Sequence, residues 1–178
     1  MNLNNISSVI WITGLSASGK TTLGTLVTEN IEAKGLDVIM LDGDDLREIL
    51  GATKLYTRED RLNLAFVYSR MALSISKQNK IVVIATVALF KEVHKWNREN
   101  IPNYFEVFLD VPIEELKLRD PKGIYKKFDQ GIIDNVAGLD LSVDKPTKAD
   151  ITLNFENGVS ALDNSKKVIA LFFKKKFR

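Results

Sequence analysis

The sequence predicts an α/β fold in which a doubly wound, mostly parallel five-stranded sheet carries helices on both faces. Three observations predict it. Short apolar runs alternate with longer stretches of helical periodicity, the order that a strand–helix–strand chain leaves in sequence. Several apolar runs are continuous rather than alternating, as strands covered on both faces require. Hairpin signals between the runs are few, so successive strands must be joined by crossovers. Right-handed crossovers put every strand's C-terminal end on one rim, where ligands bind.

Taken in order, the first strand is expected at Val9–Thr13, from the run Val9-Ile10-Trp11-Ile12, and a helix follows over Lys20–Ala33. Val38–Leu41 is the second strand, and a long helical pattern covers Glu59–Lys77. Ile81–Val87 is a third, continuous strand, followed by helical Phe90–Asn100. Phe105–Val111 and helical Ile113–Arg119 come next. Ile151–Phe155 is the fifth strand, and a closing helix runs from about Val159 to Lys174. Residues 120–148 break the alternation. They hold Pro121, Gly123, Gly131, Gly138 and Pro146 with little periodicity, and so long an irregular stretch in a compact domain reads as a lid.

Composition bounds the rest. The 178 residues suit one domain, taken as 1–178. With 45% hydrophobic and 27% charged residues the chain has an ordinary globular make-up, and a net charge of +2 is too small to argue for nucleic acid or a membrane surface. The absence of cysteine excludes disulfides and thiolate metal sites and fits a cytoplasmic location. Met1-Asn2-Leu3-Asn4-Asn5 has no basic leader region, and the longest apolar stretch, Ile81 to Phe90, is about half a membrane span. The basic tail from Lys174 to Arg178 reads as a helix C-terminus with cations suited to its dipole.

The most informative motif is Gly14-Leu15-Ser16-Ala17-Ser18-Gly19-Lys20-Thr21, with Thr22 after it, between the first strand and its helix. This is G-x-x-x-x-G-K-[ST] in the context that gives it meaning: a P-loop NTPase signature. Glycines let consecutive N–H groups curl around phosphate oxygens, and the helix adds its positive end. Lys20 is placed to reach the outer phosphates and Thr21 to ligate Mg²⁺. The expected donor is ATP with Mg²⁺.

The second strand ends in Leu41-Asp42-Gly43-Asp44-Asp45, with Arg47 beyond. Two carboxylates at i and i+2 on the ligand rim can divide the chemistry, one ordering Mg²⁺ through water and the other accepting the proton of an attacking hydroxyl. Asp42 is assigned to the metal side and Asp44 to the hydroxyl; the competing reading is a turn that only caps a helix from Leu46. Tyr56 and Arg61 read equally as a stacking ring and an anion partner or as a packing residue and a solvated charge, and Arg119, with Lys122, adds positive charge at the base of the expected lid. The single His94 has no second His or Cys to share a metal with and reads as structural.

Together these residues resemble the adenylyl-sulfate kinase (APS kinase) family, from about Val9 to Leu153. The resemblance rests on Ile12 through Thr22, Leu41 through Arg47, Glu59-Asp60-Arg61, and Arg119 through Lys127. It implies transfer of the γ-phosphate of MgATP to the 3′-hydroxyl of a nucleotide carrying a 5′ mixed anhydride. It places Arg47, Tyr56, Arg61 and Lys122 at acceptor-binding positions, with Tyr56 where a Phe is usual. It also implies a small-molecule nucleotide acceptor and, by family precedent, a homodimer.

The departures from the family pattern fall on the acceptor side. Leu64 stands where the family has Asn, and Ala88-Leu89-Phe90 replaces Ile-Ser-Pro. The lid reads Asp134-Asn135-Val136-Ala137-Gly138-Leu139-Asp140, so that Val136 takes the place of an aromatic stacked on adenine. A site loses discrimination for a substrate when the polar atoms that bonded it are removed. The expected acceptor is therefore a smaller pyrimidine nucleotide, and the family's cytidine diphosphoramidate kinase branch (capsule phosphoramidate synthesis) fits it. Adenylyl sulfate is the alternative. A catalytically silent nucleotide-binding module is the alternative of another class, and a GTPase switch lacks its Asn-Lys-x-Asp segment.

Overall fold

In the computed structural model, which describes residues 7–54 and 56–176, β1 (Ser8–Gly14) runs through the sheet interior with every residue buried. It is flanked by β3 (Ile81–Thr86) and β4 (Tyr104–Asp110), and the edges are β2 (Val38–Asp42) and β5 (Ile151–Asn154). The order is β2-β3-β1-β4-β5, and every pairing is parallel. All five expected strands form, with ends shifted by a residue or so, as strand ends inferred from pattern usually are.

Period-two alternation sends Ile10 and Ile12 to one face and Val9 and Trp11 to the other. On the first face Leu23, Val27 and Ile31 of α1 (Lys20–Glu32) and Val168, Ile169 and Phe172 of α7 (Ala161–Lys176) close a core with Val83, Phe105 and Val107. On the second, α2 (Gly43–Ile49), α3 (Arg58–Ser76) and α4 (Lys91–Asn100) bury Leu46, Leu64, Ala65, Tyr68, Ala72 and Val93 against Val82 and Ile84. The last turn of α7 carries Lys174, Lys175 and Lys176, suited to the helix dipole. Residues 1–6, read above for a leader, and the final two residues of the basic tail lie outside the described residues.

Two helices lie outside the helical patterns given above, α2 having been foreseen only in the competing reading of the acidic turn. α2 begins at Gly43 rather than Leu46, with Asp42 as N-cap: its side chain accepts from the Asp44 N–H at 2.8 Å. Asp44 and Asp45 in the first turn favour that start through the dipole, which outweighs their poor intrinsic propensity. α6 (Ile124–Asp129), after α5 (Ile113–Arg119), lies inside the supposedly irregular stretch, and its six residues are too few to show a period. Its N-terminus is held by Asp120, whose carboxylate accepts from the Lys126 N–H at 3.0 Å.

The segment expected to be a lid is a strap with its own small core: Val136 and Tyr125 are buried with Val111 and Leu116, and Leu15 and Ala17 of the phosphate loop pack against them. The Asp140 carboxylate accepts from the Asn135 and Val136 N–H groups, each at 2.7 Å. At its far end Arg98 donates to the Lys148 carbonyl at 2.8 Å, and His94 Nε2 lies 3.2 Å from the Asp144 carbonyl. Arg98 and His94 also meet Glu106, a fully buried carboxylate in β4 that accepts from Tyr104 as well. His94 is thus part of a structural network.

Candidate active site

Where β1 ends the chain must turn into α1 without a side-chain cap. Gly19 supplies the turn with φ +93°, a conformation that glycine adopts at little cost. The next residue, Lys20, curls back so that its ammonium donates to the Leu15 carbonyl at 2.7 Å. Burial lowers the Lys20 pKa to about 8, although Asp44 and Asp42 pull it upward. A desolvated ammonium with one protein acceptor has two N–H donors left for an anion. Thr21, one residue on, donates its hydroxyl to Asp42 at 2.7 Å.

A cleft of about 590 Å³ opens above this turn. Ser16, Ala17, Gly19, Lys20, Thr21 and Thr22 line its phosphate-loop side, and Asp42, Asp44 and Arg47 enter from the end of β2 and from α2. Arg61, Leu64, Ala88, Leu89, Arg119 and Lys122 complete the wall among the expected residues. Gly14, Leu15 and Ser18 lie outside it: Leu15 faces a second cavity beneath the lid, and Ser18 a third, beside the phosphate loop. Ser18 Oγ is buried with no hydrogen-bond partner among the described residues.

The charges are paired across the cleft. Asp42 is engaged at both oxygens, by the Thr21 hydroxyl and by the Asp44 N–H. Asp44 points outward and forms an ion pair with Lys122 from the foot of the lid. Tyr56 is held between two guanidinium groups, with Arg47 4.9 Å and Arg61 5.3 Å from its ring centre. Arg61 also donates to the Tyr56 carbonyl at 2.9 Å and to the Asn135 carbonyl at 2.8 Å, which ties the lid to the start of α3. Burial, and after it the neighbouring Arg47 charge, push the Arg61 pKa below its ordinary value. Two guanidinium groups so close together favour an anion between or beside them. Asp60 of the Glu59-Asp60-Arg61 motif serves the fold, forming a capping box with Thr57 at the start of α3.

One expectation is corrected. Val136 does not face the cleft: its side chain turns into the lid's core with Tyr125, and the neighbouring Ala137 lines the wall instead. The cause is the pair of bonds from Asp140 to the Asn135 and Val136 N–H groups, which fixes the loop so that Asn135 adopts φ +56°. Asn135 meets the cleft only through its carbonyl on Arg61.

Sequence reading missed several residues. Tyr68 and Thr86 line the cleft beside the acid pair, and Phe155 stacks under Arg119 at 5.1 Å on the third cavity, of about 270 Å³. Each sits in an apolar or helical pattern that already has a structural explanation, and nothing local marks it out.

The residues fit an Mg²⁺-nucleotide. Among the described residues no three His, Asp or Glu side chains converge on a metal site. Mg²⁺ in such enzymes is held by phosphates with one or two protein oxygens, and the bonded Thr21–Asp42 pair beside a desolvated Lys20 offers those.

Comparison with known proteins gives the family. The adenylylsulphate kinase family model matches residues 6–154. A cytidine diphosphoramidate kinase of Campylobacter jejuni is 38% identical over 97% of this chain and 98% of its own length. An adenylyl-sulfate kinase of Pseudomonas aeruginosa is 35% identical over 83% of this chain and 76% of its own. The solved structure of the Mycobacterium tuberculosis APS kinase in complex with AMPPNP and APS superposes with a TM-score of 0.86 at 30% identity, covering 93% of this chain and 97% of that one.

Proposed function

The chain belongs to the adenylylsulphate kinase family and is a nucleotide kinase, and on that premise we propose that it transfers the γ-phosphate of ATP to the 3′-hydroxyl of cytidine diphosphoramidate. The observation that carries the choice of acceptor is the apolar wall of Leu64, Ala88 and Leu89, all buried to within 7% exposure along one side of the cleft. Side chains of this kind lack the polar atoms with which a hydrogen-bonding pocket selects one substrate strongly, so the wall departs from the family's adenylyl-sulfate pattern. The near full-length likeness to the Campylobacter jejuni enzyme supports the same acceptor. Val136, which turns inward, contributes nothing to this argument.

The mechanism follows from the charges. The curled backbone of residues 14–19 and the start of α1 would cradle the donor phosphates. Arg119 and Phe155, stacked together on the third cavity, would hold the donor base. Lys20 would lie against the outer phosphates and stabilise charge as it spreads onto the transferring group. Thr21, its hydroxyl already turned toward Asp42, and Asp42 itself would hold Mg²⁺. When bound, that ion neutralises charge on the β- and γ-phosphates. Arg47, Arg61 and Lys122 would bind the acceptor's anionic 5′ groups, with the Tyr56 ring and the Asn135 stretch of the lid beside them. Asp44 would release Lys122 as the acceptor enters and take the proton of the 3′-hydroxyl. The new bond joins that oxygen to the γ-phosphorus, and the bond from phosphorus to the bridging oxygen breaks. The electron pair leaves on the β-phosphate of ADP.

Both substrates are small molecules, and the reading includes one kinase domain, a homodimer and a cytoplasmic setting; among the described residues no helix is long and apolar enough to cross a membrane. The experiment is phosphate transfer from γ-labelled MgATP to cytidine diphosphoramidate, with the position of the new phosphate read by phosphorus NMR. Label on the 3′-oxygen is expected. Absence of acceptor-dependent ADP release and of labelling, across cytidine and adenosine acceptors, would favour a silent binding module.

A further inference from the structure

Asp42 and Asp44 flank a residue that the fold grips from two sides. Gly43 lies so close to the end of β3 that a Cβ there would stand 2.9 Å from Thr86 Oγ1, 3.0 Å from Thr86 Cβ and 3.1 Å from the Ala85 carbonyl. From another side, the Tyr68 hydroxyl donates to the Gly43 carbonyl at 3.1 Å. Tyr68 comes from the middle of α3, on the face that also carries Leu64 and Ala65, and its ring is buried against the cleft wall. Neither contact touches a carboxylate, yet both act on the peptide that joins the two.

The consequence is geometric. The Asp44 N–H already donates to Asp42 Oδ1 at 2.8 Å, so a tilt of the Gly43 peptide changes the relation of both acids at once. Asp44 itself is largely exposed, and its ion-pair partner among the described residues is Lys122, a long flexible side chain. Among the described residues no rigid group holds the Asp44 carboxylate directly. Its direction must come from its backbone, and the backbone is set by the β3 contact and by Tyr68.

We propose that Tyr68 is a positioning residue for phosphate transfer: through the Gly43 carbonyl it aims the Asp44 carboxylate at the acceptor hydroxyl. The assignment rests on the reading of Asp44 as proton acceptor given above. The hydroxyl is suited to a constant donor. Burial pushes its pKa up to about 12, against the Arg47 guanidinium and with the Asp44 and Asp42 charges adding to the rise, so it keeps its proton throughout the working range. Phenylalanine at this position would fill the same space and lose only the bond.

Tyr68→Phe, Asp44→Asn and the double variant would be assayed with MgATP and either cytidine diphosphoramidate or adenylyl sulfate, whichever the parent enzyme turns over. Misaiming a reacting group costs up to about 100-fold, so Tyr68→Phe is expected to lower kcat by about tenfold or more, with KM for MgATP within about twofold. Its thermal midpoint and its stabilisation by MgATP should stay near the parent's, which separates a lost aim from a damaged fold. In the Asp44→Asn background, measured by single turnover, Tyr68→Phe should cost no more than about twofold, because groups that act as a unit are not additive. A Tyr68→Phe enzyme with the parent's kcat, or the same loss in both backgrounds, would overturn the assignment. Full activity of Asp44→Asn alone would instead remove the proton acceptor from the mechanism, and this assignment with it.

Discussion

Replacing Lys20 by Met should make the ligand-free protein more stable while abolishing its activity. Burial lowers the Lys20 pKa from 10.5 to about 8, and at ~1.36 kcal/mol per pH unit this corresponds to roughly 3 kcal/mol by which folding disfavours the charged form. Methionine keeps most of the stem and removes the charge. Losing the bond to the Leu15 carbonyl costs about 1 kcal/mol, so the net gain is on the order of 2 kcal/mol at pH 7. For a chain of this size that raises the thermal midpoint by about 4–8 °C. The gain also has a pH signature. Below about pH 8 both folded and unfolded states hold the proton, and the penalty in the parent protein is complete. Between there and 10.5 the unfolded chain holds more protons than the folded one, so the parent's stability rises with pH and the difference from Lys20→Met shrinks. Scanning calorimetry of both proteins across that range, with and without MgATP, is the assay. A variant no more stable than its parent at pH 7, or one that MgATP still stabilises fully, would refute the argument that Lys20 is a desolvated charge kept for phosphate.

Other expectations follow from the same contacts. Arg61→Ala removes bonds to the Tyr56 and Asn135 carbonyls; charge-assisted bonds are worth ~1.5–3 kcal/mol, so steady-state kinetics should show the acceptor KM rising at least about tenfold while that for MgATP is little changed. Phe155→Ala should do the reverse. Losing the stack under Arg119, worth about 1 kcal/mol, raises KM for MgATP several-fold and spares the acceptor. Glu106→Gln should destabilise the fold by about 3 kcal/mol in denaturant melts, because it strips the buried network of its charge. Burial works against the Glu106 carboxylate, but bonds from His94, Tyr104 and Arg98 outweigh it and hold its pKa below 4.5. The parent therefore keeps this contribution above that pH and loses it as pH falls further, and hydrogen exchange in residues 144–150 should accelerate in the variant.

What could be read in advance was local. The phosphate loop is a contiguous string whose spacing is its chemistry, and the carboxylates at 42 and 44 follow a strand whose end must lie on the ligand rim. The five strands were legible because burial on both faces leaves continuous apolar runs. The misses have a common cause. Tyr68 sits among apolar neighbours in a helix, and only the tertiary approach of α3 to Gly43 shows its hydroxyl at work. Phe155 follows a short edge strand and gains meaning only from Arg119 above it. The direction of Val136 depends on bonds from Asp140 four residues on, a turn that periodicity does not report. α6 is too short to have a period. Asp42 shows the capping of α2 that the competing reading named, and it also accepts from the Thr21 hydroxyl in the cleft.

The central claim is that a donor site of the adenylylsulphate kinase kind serves an acceptor pocket rebuilt for a pyrimidine nucleotide. A competition between cytidine diphosphoramidate and adenylyl sulfate, with MgATP saturating, measures the ratio of their kcat/KM values in a single tube. The proposed function predicts a ratio of about 10 or more in favour of the cytidine compound, equivalent to ~1.4 kcal/mol at the transition state. A ratio near one, or in favour of adenylyl sulfate, would contradict it.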